Sequence, residues 1–158
     1  MKALLKGLLV CGLIFSFVAC SQTSRTKENT GISKVAKGDV IVLNKMDFLA
    51  KVFNYEENPD QWVYEGEKPC IVDFYADWCG PCKKVSPILR DLAILYKDDI
   101  VIYKVNVDTE NELAAAFGIQ SIPTLLFIPK DGEPQLAQGA LPREVLIEQI
   151  DNYLLGKQ

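Results

Sequence analysis

The sequence predicts an α/β fold in which helices cover both faces of a mixed central sheet, and three observations carry that expectation. From residue 40 onward, short apolar runs alternate with stretches of helical periodicity. One run, Ile71-Val72-Asp73-Phe74-Tyr75-Ala76, is apolar at nearly every position, as a central strand buried on both faces requires, with Asp73 as its anomaly. Finally, 124–128, the turn Pro129-Lys130-Asp131-Gly132 and 135–138 read as strand, turn and strand, a hairpin that adds an antiparallel part to the sheet.

Taken in order, Val40-Ile41-Val42-Leu43 forms a brief strand. Residues 46–53 then place apolar side chains at 46, 48, 49, 52 and 53, a helical spacing. Residues 54–69 are loop-like and rich in Glu, Asn, Pro and Gly; Trp62, Val63 and Tyr64 in their middle read as pinning the loop to the core, with a partner contact as the alternative. After the strand at 71–76, residues 81–97 form a helix with apolar positions at 85, 88, 89, 92, 93, 95 and 96. Pro87 inside that pattern predicts a kink, not an end. Residues 100–107 form the next strand. Thr109-Glu110-Asn111-Glu112 has the form of a capping box, opening a helix through about Phe117. Beyond the hairpin, Pro142 suits the first turn of a final helix whose apolar residues are Val145, Leu146, Ile150, Tyr153 and Leu154.

The first 20 residues are of another kind. Met-Lys-Ala-Leu-Leu-Lys is followed by 13 uncharged residues, Gly7 to Ala19, and then Cys20. A basic start and a short apolar stretch form a secretory signal pattern, and the stretch is shorter than the ~20 residues a spanning helix needs. Phe17-Val18-Ala19-Cys20 resembles a bacterial lipobox, in which Cys20 carries the lipid; it departs from that pattern at Phe17, where Leu is more usual. An ordinary signal peptide cut near Ala19–Ser21 is the alternative. Residues 21–37 are polar and aperiodic, as in a flexible tether. The expected organisation is a signal peptide at 1–19, an anchor and tether at 20–38, and one domain at 39–158. The localisation expected is periplasmic, held at the membrane by lipid alone.

The formal net charge is −4, and loss of residues 1–19 removes Lys2 and Lys6 to leave −6. An acidic domain without a basic run has no electrostatic footprint for nucleic acid. The chain has no histidine, which excludes imidazole acid–base catalysis, Cys-His and Ser-His pairs and His-ligated metals within it. No metal or cofactor is expected. The five cysteines fall into three contexts and do not read as one disulfide framework: Cys11 lies in the apolar leader, Cys20 at its end, Cys70 at the start of the central strand, and Cys79 and Cys82 three apart. Cys70 reads as a small core residue.

Trp78-Cys79-Gly80-Pro81-Cys82 follows a buried strand and opens a helix. Two cysteines at that spacing can close a small disulfide. When reduced, the first sits where free N–H groups and the helix dipole favour a thiolate. Cys82, one turn in, is placed to attack a mixed disulfide formed at Cys79. Gly80 adds no side chain beside a substrate, and Pro81 needs no donor in the first turn. The same spacing serves zinc, but a structural zinc site takes four ligands and only Cys70 remains outside the leader. An inert structural disulfide would leave the strand–turn–helix placement unexplained.

Residues 72–83, Val-Asp-Phe-Tyr-Ala-Asp-Trp-Cys-Gly-Pro-Cys-Lys, resemble the active-site segment of the thioredoxin family. Ser121-Ile122-Pro123-Thr124 matches that family's cis-proline loop, and Pro87, Lys104 and Gly139 fall where the family has the same residue types. The resemblance covers about residues 40–156 and departs at Tyr75, where many members have Trp, and in a longer loop at 54–69. It implies a thioredoxin fold and an enzyme that reduces protein disulfides through Cys79 and Cys82. It makes Asp73 a buried carboxyl of raised pKa that accepts the Cys82 proton, with a merely structural Asp73–Lys104 pair as the alternative. Pro123 is expected cis, with the Ile122 backbone beside Cys79 to pair with a substrate chain; Trp78, Gly80, Pro81 and Gly139 complete the substrate surface. The partners implied are disulfide-bearing proteins and an upstream electron donor, a membrane thiol carrier being one such donor, with the protein itself a monomer. A disulfide oxidase, a cytochrome c maturation factor and a tethered binding module are the competing functions.

Overall fold

In the computed structural model the described residues are 38–157. The expected signal peptide, the lipobox-like stretch ending at Cys20 and most of the expected tether therefore lie outside them. Five strands form one sheet in the order β1-β3-β2-β4-β5: β1 (Ile41–Val42), β2 (Cys70–Tyr75), β3 (Val101–Asn106), β4 (Thr124–Ile128) and β5 (Gln135–Gln138). β1, β3 and β2 run parallel, while β4 and β5 are antiparallel to their neighbours, so the sheet is mixed as the hairpin predicted. Parallel neighbours need crossovers, and helices supply them. α1 (Lys45–Lys51) and α2 (Gly80–Leu95) are these crossovers; α3 (Asn111–Ala116) joins β3 to β4, and α4 (Arg143–Glu148) follows β5 and is continued by a π-helical stretch, Gln149–Leu154. Among the described residues, no helix is long and apolar enough to cross a membrane.

Strand alternation divides the core in two. Ile71, Ile102, Leu125 and Phe127 point to one face and pack under Val85, Leu89 and Leu92 of α2 with Leu146, Ile150 and Leu154 of the C-terminal helix. Val72, Phe74, Val105, Leu126 and Ile128 point to the other, under Phe48 and Val52 and under Leu113 of α3. On that second face the Phe117 ring meets Phe48 edge-on at 5.0 Å and lies 6.1 Å from Phe74. Phe53 stacks tilted against Trp62 at 4.4 Å, so the aromatic patch of the 54–69 loop does pin that loop to the core. Cys70 is fully buried, and burial pushes its thiol up to about 12, as an inert core residue requires.

Helix ends differ from the sequence expectation: α1 closes at Lys51 and not at residue 53, and α2 at Leu95 and not at residue 97, and three starts differ as well. α1 starts at Lys45, one residue before the apolar periodicity, because the Asn44 side chain caps it, accepting from Asp47 N at 2.8 Å. The capping box at 109–112 does not form: Thr109 Oγ1 instead donates to the Asn106 carbonyl, and Glu110, the residue at the cap, turns its carboxylate to the Lys45 N–H at 2.8 Å. Pro142 is the N-cap of α4 and not part of its first turn. Pro87 lies inside α2 without ending it. At the C-terminal end of α2 the chain entering the domain passes closely: Gly38 has φ +99°, and a Cβ there would stand 3.2 Å from Ile94 Cα and 3.3 Å from the Ala93 carbonyl.

Candidate functional site

β2 ends at Tyr75, and after a short turn Cys79 becomes the N-cap of α2. This junction puts a sulfur where a helix has unsatisfied N–H groups: Cys79 Sγ accepts from Cys82 N at 3.1 Å. Cys79 and Cys82 are joined as a disulfide, with Cα atoms 5.3 Å apart. Gly80 and Pro81 occupy the first two helical positions, where the proline's missing donor costs nothing. Both cysteines are nearly covered, 3% and 1% exposed, so they differ less in shielding than their one-turn offset suggests. The surface beside them is open, since Trp78 is 70% exposed and Gly80 and Pro81 are also exposed.

The loop before β4 supplies the other wall. The Ile122–Pro123 peptide is cis, and the Ile122 carbonyl oxygen lies 3.8 Å from Cys79 Sγ. Thr124 Oγ1 donates to the Ser121 carbonyl at 2.7 Å, and Gly139 N donates to the Pro123 carbonyl at 2.8 Å, which ties this loop to the end of β5. Gly139 has φ +91°, a conformation that favours glycine. The structure thus gathers Trp78, Cys79, Gly80, Pro81, Cys82 and Ile122 around the sulfurs, with Pro123 and Gly139 holding the loop from behind.

Asp73 lies on β2, 2% exposed, and its Oδ1 has no hydrogen-bond partner. Burial pushes its carboxyl up to about 7, and the Lys104 ammonium only partly opposes that rise. Lys104 is the register partner of Asp73 on β3, yet it forms no ion pair with it; its Nζ instead sits over the Tyr75 ring, 3.7 Å from the centroid. The sequence reading missed Asp108. Trp78 Nε1 donates to Asp108 Oδ2 at 2.9 Å, and Asp108 N is held by Asn106 Oδ1 at 2.9 Å, so the end of β3 steadies the exposed indole. No local spacing signals that contact, which spans 30 residues.

A disulfide-forming pair at a helix N-terminus, beside the exposed Trp78, Gly80 and Pro81 and with a buried carboxyl of raised pKa on the strand that leads into it, is the apparatus of a thiol–disulfide oxidoreductase. The comparisons with known proteins agree. A family model described as Thioredoxin matches residues 50–152. The chain is 44% identical over 113 residues to a thioredoxin of Borreliella burgdorferi, a match covering 72% of this chain and 96% of that protein. It is 41% identical over 95 residues to thioredoxin 1 of Synechococcus elongatus, covering 60% of this chain and 88% of that one. Among solved structures, a mutant thioredoxin from Halobacterium salinarum aligns with TM-score 0.58 and 26% identity, over 75% of this chain and 94% of that chain. The chain belongs to the thioredoxin family. It is accordingly a protein-disulfide oxidoreductase, with disulfide-bearing proteins as substrates and a reductase partner.

Proposed function

We propose that this protein is an exported thioredoxin, tethered through a lipid on Cys20, that reduces protein disulfides outside the cytoplasm. The observation that carries the redox half of this reading is the Cys79–Cys82 pair at the N-terminus of α2, 3.8 Å from the Ile122 carbonyl. In the reduced enzyme the Cys79 thiolate attacks one sulfur of a substrate disulfide; that S–S bond breaks, a Cys79–substrate disulfide forms and the other substrate sulfur leaves as a thiolate. Cys82 then gives its proton to the Asp73 carboxylate and attacks Cys79 Sγ, releasing the second substrate thiolate and closing the Cys79–Cys82 disulfide. The substrate gains two electrons and the enzyme loses them. A dithiol donor returns them by the reverse exchange. The backbone at the half-buried Ile122 pairs with the substrate chain as a short added strand, and Trp78, Gly80 and Pro81 form the surface it lies on. The domain acts as a monomer.

The location is supported by the basic, then apolar, leader and by Val18-Ala19-Cys20, and residues 21–37 serve as the leash. Insulin reduction driven by dithiothreitol tests the chemistry: wild type accelerates precipitation and Cys79→Ser does not, whereas equal rates would remove the enzyme claim. Fractionation of the native host tests the address. Wild type sediments with membranes and Cys20→Ser does not; a cytosolic wild type that retains residues 1–19 would overturn export. Asp73→Asn should slow release of substrate from the Cys79 mixed disulfide, and an unchanged rate would remove Asp73 as proton acceptor.

A further inference from the structure

Beside Asp73 stand two side chains that the thiol chemistry above does not use, Tyr75 and Lys104. The parallel register sets Asp73 beside Lys104, and alternation along β2 puts Asp73 and Tyr75 on the same face, toward α2. Lys104 therefore has two attractors on one strand, a carboxyl directly across and an aromatic face two residues further. Its ammonium has taken the ring, at 3.7 Å from the centroid. There it keeps part of its hydration, since both Lys104 and Tyr75 are only half-buried. Pairing with the fully buried Asp73 would strip it of water.

We propose that Tyr75 is a positioning residue, whose ring holds the Lys104 ammonium out of an ion pair with Asp73 and so keeps that carboxyl available as a proton acceptor. Held this way, Lys104 acts on Asp73 through space and at a distance, lowering its proton affinity only in part. Without the ring, the carboxylate is the attractor left within reach, and the pair that forms lowers its proton affinity and makes Asp73 a weaker base for Cys82. Lys104 is the charged group that acts on the Asp73 carboxyl, and β4 places apolar Leu125 across from it. The functional consequence rests on Asp73 acting as the base; the positioning itself does not.

Carbon-detected NMR titration of the Asp73 carboxyl in the oxidised protein tests it. Tyr75→Phe, which keeps the ring, should titrate with wild type. Tyr75→Leu should titrate lower by about one unit, as carboxylates do beside a cation, and Tyr75→Met provides a second apolar replacement should leucine fail to fold. In a Lys104→Gln background the identity of residue 75 should no longer matter. A folded Tyr75→Leu or Tyr75→Met that titrates with wild type overturns the proposal, as does an equal shift when Lys104 is absent. The substrate-release rate of Asp73→Asn is a separate measurement: no change there removes the base role while a moved titration still establishes the positioning.

Discussion

Replacing Asp73 by Asn should stabilise the folded protein, and by an amount that depends on pH. The carboxyl's ordinary value is 3.8, and burial raises it to about 7 in the folded chain. Three units at ~1.36 kcal/mol each amount to about 4 kcal/mol of linked free energy. The folded state is the tighter proton binder. Between pH 4 and pH 7 it keeps a proton that the unfolded chain has already released, so stability is greatest below pH 4, falls as pH rises and stops falling above about pH 7. Asn has the shape of the protonated acid and does not titrate in this range. Urea unfolding of the oxidised proteins, followed by circular dichroism from pH 4 to pH 8.5, should therefore find the two nearly equal at pH 4. At pH 8.5 Asp73→Asn should be the more stable by about 4 kcal/mol. A gap that is the same at both ends of the range, or a wild type that is the more stable at pH 8.5, would refute the claim that this carboxylate is held against its own solvation.

Two further outcomes follow from packing and backbone geometry. Phe117→Ala removes the ring that meets Phe48 at 5.0 Å and neighbours Phe53, Tyr55 and Phe74, and should cost about 3 kcal/mol in urea unfolding while leaving insulin reduction intact well below the unfolding midpoint; a loss under about 1 kcal/mol would mean the cluster closes without it. Gly139→Ala adds a Cβ into open space but at φ +91°, so its cost of about 1–2 kcal/mol comes from the backbone alone, and a neutral or stabilising result would contradict that.

The sheet and the thiol pair were legible because their signals are local. The run 71–76 has the apolar continuity of a central strand, the hairpin carries its own turn residues, and Cys79 to Cys82 stand at a strand-to-helix junction that the flanking patterns mark. The α3 start was misread for a tertiary reason: Glu110 has a better use at the backbone of Lys45, and Thr109 at the carbonyl of Asn106. The Asn44 cap was local and readable, three residues ahead of Asp47, but the apolar periodicity begins only at Met46. Around the sulfurs, the fine tuning was out of reach. Trp78 finding Asp108, and Lys104 choosing Tyr75 over Asp73, depend on the register between β2 and β3, and a list of residues does not contain a register.

The close passage of Gly38 over Ile94 has a practical meaning. It places the point where the chain enters the domain at one end of α2, while Cys79 caps the other, 16 residues or about 24 Å away. A load attached upstream of Gly38 therefore pulls on the back of the molecule. A fusion partner or an immobilising bead joined just before Gly38 would be attached at the end of α2 away from the sulfurs.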